Sequence, residues 1–119
     1  MNKYQDFPWY SVTPLEASAT WEGAWKQIKH IPTATHTEIP VIYPGAIYVA
    51  GLVYSDATGT LYVDHSNDGS TAHYTESDGV TGGVGFNRRL YGSFVRLRYA
   101  NGTATQGSFS LAAWLTGAQ

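Results

Sequence analysis

No cysteine occurs among the 119 residues, which excludes disulfides, thiolate metal sites and a cysteine nucleophile. Stability must come from packing or assembly. Charge is also scarce: 13% of residues are charged, against about 25% in an average globular protein. So weakly charged a surface points to a partner covering part of it. The seven lysines and arginines form no long run and the formal net charge is −2, so the electrostatic footprint of a nucleic-acid or acidic-membrane binder is missing. Neither nucleic acid nor membrane is expected as a partner. The N-terminal MNKYQDFPWY has no apolar run of signal-peptide length, and nowhere do about 18 apolar residues follow one another. The expectation is a soluble protein made in a cytoplasm.

What is present is an apolar share of 43%, enough for one core and one domain at this length. Residues 1–16 combine Pro8 and Pro14 with Tyr4, Phe7, Trp9 and Tyr10, too proline-broken for a helix and too aromatic for a solvated tail. They are expected to form an extended arm that docks on a neighbour or back on its own domain, residues 17–119. Residues 17–31 alternate in the manner of one or two strands, and the prolines of 32–44 mark a loop or edge segment. Residues 46–55 give the clearest strand, with Ile47, Val49 and Val53 on one face and Tyr48, Leu52 and Tyr54 on the other. Asp56-Ala57-Thr58-Gly59 reads as a turn, 60–66 as a further strand, and Ser66-Asn67-Asp68-Gly69 as the turn of a hairpin whose polar return strand covers 71–75. The glycine-rich ESDGVTGGVG is expected to be a mobile loop anchored by Phe86. Residues 91–99 place Val95, Leu97 and Tyr99 opposite Phe94, Arg96 and Arg98, and 107–115 point Phe109, Leu111, Ala113 and Leu115 inward with Trp114 outward. The sum is an all-β fold of seven or eight strands, a single jelly-roll-like antiparallel β-sandwich.

Three motifs, LYVDHSNDGST at 61–71, YGSFVRLRY at 91–99 and FSLAAWL at 109–115, resemble the latter half of the galactose-binding-like (discoidin-like) sandwich. Ser66-Asn67-Asp68-Gly69, Arg96-Leu97-Arg98-Tyr99 and residues 101–106 more closely resemble small phage virion proteins, including capsid decoration proteins. That resemblance implies a structural role in a virion. Ala72 and His73 stand where the discoidin pattern has a tryptophan.

Candidate sites follow from residue types. Four histidines occur, and a hairpin would bring His65 and His73 close, but no ligand spacing such as H-E-x-x-H accompanies them. Asp56, Asp64, Asp68 and Asp78 sit in or beside turns without a D-x-D-x-D-G loop, so capping is the expected role and calcium is not. No nucleophile has a catalytic context such as G-x-S-x-G. Neither an enzyme nor a cofactor is expected. Partner contacts are expected from Tyr4, Phe7, Trp9 and Tyr10 of the arm, and from Tyr48, Leu52, Tyr54, Arg96, Arg98 and Trp114 on a sheet face. Arg88 and Arg89 are expected to add loop contacts.

The resulting expectation is a non-catalytic phage virion protein, a capsid decoration or cement subunit that binds neighbouring capsid or other virion proteins. It would form a homo-oligomer, with trimers on local symmetry axes the anticipated form. The alternatives are a carbohydrate- or receptor-binding module of a tail fibre, with a glycan as ligand, and a tail or neck adaptor.

Overall fold

Alternation of apolar and polar residues dominates the structure, a computed structural model that describes residues 8–29, 43 and 45–117. Among the described residues seven antiparallel strands form one curled sheet: β1 (Trp9–Ser11), β2 (Thr20–Glu22), β3 (Lys26–Gln27), β4 (Tyr48–Ser66), β5 (Tyr74–Arg89), β6 (Phe94–Asn101) and β7 (Phe109–Thr116). No helix occurs among the described residues. The all-β antiparallel sandwich is thus the fold found. Residues 32–42, read above as a loop or edge, lie outside the described residues, as do His30 and His36.

The organising element is β4, whose 19 residues serve both halves of the sandwich. Its first half lies between β5 and β7, from Tyr48↔Thr116 to Ser55↔Phe109. Its second half lies between β5 and β6, from Gly59↔Asn101 to Ser66↔Phe94. The register shifts between Ser55 and Gly59, so Asp56-Ala57-Thr58-Gly59 is a bulge within one strand and not the turn expected. Ser55 makes the bulge possible: its hydroxyl donates to the Ala57 carbonyl at 2.6 Å and accepts the Ala57 N–H at 3.1 Å. A strand that bends at a bulge can pass from one packed layer to the other.

The second correction concerns ESDGVTGGVG, which belongs to the 16-residue strand β5. Its glycines weaken β-propensity, but pairing with β4 along most of the strand overrides the local preference. The return strand accordingly starts at Tyr74, after a turn over 67–73. In that turn the Ser66 hydroxyl donates to Asp68 Oδ1 at 2.9 Å, and the same oxygen accepts the N–H groups of Ser70 and Thr71, each at 2.9 Å. The two backbone N–H groups, then Ser66, hold the Asp68 carboxyl well below the ordinary range.

The concave side of the sheet buries Val49, Val53, Leu61, Val63, Leu97, Tyr99, Phe109, Leu111 and Ala113. Tyr99 and Phe109 join the two halves, their ring centroids 5.1 Å apart. Phe94, expected on the outer face, is buried. At Gly59 a side chain would run into the Tyr99 ring and the Ala100 carbonyl. Gly59→Ala is therefore expected to cost about 1–3 kcal/mol as overpacking, read as a lower urea midpoint with an unchanged m-value.

The described part of the arm folds back on its own sandwich. β1 pairs with β7 in the register Trp9↔Ala113. Trp9, expected to contact a partner, is 2% exposed, and its indole N–H donates to the Ala24 carbonyl at 3.0 Å. Trp9 is therefore a core residue of its own sandwich. Farther along, Gln106 Oε1 accepts the Leu15 N–H at 2.7 Å, and its amide donates to Ser55 Oγ at 2.9 Å. Asn101 Nδ2 donates to the carbonyls of Glu16 at 2.9 Å and Ala104 at 2.8 Å. The 101–106 stretch thus has a structural task, tying residues 15–16 to the β4 bulge. Tyr4 and Phe7 lie outside the described residues.

Candidate interaction surface

Side chains that alternate away from the core in the β1–β7–β4 half form one outer face. The registers Ala50↔Trp114, Leu52↔Ala112, Tyr54↔Ser110 and Tyr10↔Ala112 put these residues on the same side of three adjacent strands. Tyr10 is 58% exposed, Leu52 57%, and Tyr54 and Trp114 40% each. An isolated exposed apolar residue is ordinary, but four large ones sharing a sheet face form a patch of the kind seen at interaction sites. Tyr48 points to the same side but is half-buried. Next to the patch, β5 adds Gly85 and Asn87, and an open depression of about 490 Å³ runs between Asn87 and Trp114 over Ala50 and Gly85. Of the sheet-face residues expected from sequence, Leu52, Tyr54 and Trp114 are brought together here.

Arg96 and Arg98 belong to the other half, where they converge on Asp64. That carboxylate is fully buried and accepts from Arg96 Nε at 2.9 Å, Arg98 Nε at 2.6 Å, Arg98 NH2 at 3.0 Å and Thr75 Oγ1 at 2.8 Å. Burial opposes the charge on Asp64, but the hydrogen bonds from Arg98, Thr75 and Arg96 outweigh it and hold the carboxyl below its ordinary value. The same bond to Asp64 raises Arg98. Arg96 also reaches Glu22 at 2.8 Å and lies 4.4 Å above the Trp25 ring, and Arg98 lies 4.5 Å above that of Tyr62. Such bonded and stacked guanidiniums brace the β4–β6 pair, in the half of the sheet away from the β1–β7–β4 face. Asp64, expected in or beside a turn, lies within β4 opposite Arg96; the available signal was Arg-x-Arg on a strand otherwise apolar, which calls for a buried counter-charge on its neighbour.

Arg88 and Arg89 are not on a loop but at the end of β5. Arg88 faces the concave side and pairs with Asp78 and with Glu76, the latter at 3.6 Å. Arg89 is exposed. Glu76 Oε1 also lies 2.8 Å from His65 Nε2. Because His65 Nδ1 accepts the Tyr91 N–H at 3.3 Å, a neutral ring carries its proton on Nε2 and donates it to Glu76. The hairpin does bring His73 near His65, through a main-chain bond of 2.9 Å, but His73 Nδ1 is occupied by the Asn67 N–H at 3.1 Å. Among the described residues no three His, Asp or Glu side chains are grouped to hold a metal ion.

Fold and surface together define an all-β domain with an apolar outer face. The chain belongs to the family described as the N-terminal domain of the uncharacterised protein YqxG, whose model matches residues 4–116. Its fold is similar to that in the crystal structure of the PBSX exported protein XepA, with a TM-score of 0.68 and 20% sequence identity. That match covers 92% of this chain and 36% of the other, so this chain spans about a third of that protein's length. No curated protein matches the chain. Neither description names a galactose-binding-like protein.

Proposed function

We propose that the chain is a non-catalytic phage virion protein, made in the host cytoplasm and assembled into the particle as a capsid decoration or cement subunit. Its outer β1–β7–β4 face binds a neighbouring capsid subunit. The observation that carries this reading is the joint exposure of Tyr10, Leu52, Tyr54 and Trp114 on one side of a sheet whose other side is the core. Covering such a face releases water from apolar surface at about 25 cal/mol per Å². The resemblance of the 66–69, 96–99 and 101–106 motifs to phage virion proteins supports it, as does a fold shared with the PBSX exported protein.

Co-sedimentation of the purified chain with empty capsid shells tests the proposal. Saturable binding is expected, weakened about tenfold or more by Leu52→Glu, the equivalent of about 1.4 kcal/mol, and unaffected by Glu16→Gln at an exposed position. No binding to shells, or binding indifferent to Leu52→Glu, would overturn it; binding to tails alone would favour the adaptor reading.

A further inference from the structure

At the turn end of the β4–β5 hairpin, three segments are locked together by bonds that involve the main chain. His73 N–H donates to the His65 carbonyl at 2.9 Å, Ser93 N–H to the Ser66 carbonyl at 2.9 Å, and Tyr91 N–H to His65 Nδ1 at 3.3 Å. Gly92 is needed where the 91–93 turn meets this end: its φ is 77°, and a side chain there would strike the Ser66 carbonyl and Asn67 Oδ1. On this fixed frame stand two tyrosines that the core does not use. Tyr74 is 53% and Tyr91 48% exposed. Their ring centroids lie 5.7 Å apart at 83°, and each also contacts the buried His65 ring, at 5.5 Å for Tyr74 and 5.3 Å for Tyr91. The slot beside them holds about 190 Å³.

We infer that this slot binds a single neutral hexopyranose residue of a glycan, stacked on the Tyr74 and Tyr91 rings. It is smaller than the ~300–1,000 Å³ pockets that take drug-sized molecules, so one ring fits and a chain of rings must extend outward. Two rigid aromatic faces at right angles offer apolar contact to a sugar's C–H groups at little cost in side-chain entropy. Asn67 and His73 line the same slot and supply amide and imidazole groups for sugar hydroxyls. Charge points to a neutral sugar. The nearby carboxylates are already engaged, Asp68 by Ser66, Ser70 and Thr71 and Glu76 by His65 and Arg88. A proline-rich peptide would need successive aromatic grooves, whereas here one slot abuts the 91–92 turn. The site is separate from the outer face proposed to bind capsid, and either assignment can fail alone.

The test is NMR titration of the full chain with maltose, cellobiose, lactose and N,N′-diacetylchitobiose. At least one should shift the ring resonances of Tyr74 and Tyr91 saturably, with affinity falling about tenfold or more in Tyr74→Ala and in Tyr91→Ala. Each variant should keep a dispersed amide spectrum, and Glu16→Gln, outside the slot, should bind unchanged. Absence of binding by all four sugars overturns the inference. So does binding that survives both tyrosine replacements, or a response of the same rings to a polyproline peptide and to no sugar.

Discussion

Trp9→Ala is expected to lose about 3–5 kcal/mol of stability, the range for truncating a buried aromatic, whereas Tyr10→Ala one residue on should lose less than about 1 kcal/mol. Sequence alone treats the two as equivalent members of an aromatic arm. The structure separates them by strand parity: Trp9 points into the core and closes on Ala24, and Tyr10 points out across Ala112 toward Leu52. Equilibrium urea unfolding of both variants gives the comparison directly. Equal, small effects would mean that Trp9 is not packed in its own sandwich and that the arm belongs to a neighbour.

Asp64→Ala comes next, with an expected loss of about 3 kcal/mol, the low end of the range for removing one partner of a buried ion pair. The low end applies because Arg96 and Arg98 keep 17% and 27% side-chain exposure and can turn partly to water. The same carboxylate makes stability depend on acid. Its folded pKa is held below the ordinary carboxylate value, so its contribution is complete above the unfolded value, about 3.9, and is lost as pH falls through the lower folded one. Asp68 acts in the same direction. Urea midpoints measured from neutral pH down to about pH 3 should show the parent's margin over Asp64→Asn constant above about pH 5 and narrowing below about pH 4. A margin that is flat throughout would show that Asp64 is not ionised in the fold.

Strands β6, β7 and the first half of β4 were legible because each alternates large apolar with other residues, and period two is what a half-buried strand requires. The same pattern placed Leu52, Tyr54 and Trp114 outward. Two local signals misled. Asp56-Ala57-Thr58-Gly59 has turn composition, yet Ser55 satisfies the Ala57 N–H and lets the strand continue. The glycines of β5 erase its alternation, since an outward glycine leaves no apolar–polar contrast, and only pairing with β4 identifies the strand. Arg-x-Arg called for a counter-charge, but which carboxylate supplies it was hidden for another reason: the register Asp64↔Arg96 joins residues far apart in the chain. No single-segment pattern encodes such a pairing.

The sharing of β4 bears on how the molecule opens and closes. Since the strand is common to both halves, neither half has a complete sheet of its own, and partial unfolding of one strips the other of its central strand. Amide exchange in the middle of β4 should therefore follow the global transition, with no earlier sub-global opening. Folding is constrained in the same way. The β4–β5 hairpin closes locally, but β1 can pair only after β7 has been synthesised, so the first described strand is among the last to dock. Until β7 emerges, a nascent chain carries the Trp9 indole exposed, a period in which chaperones and aggregation compete for it.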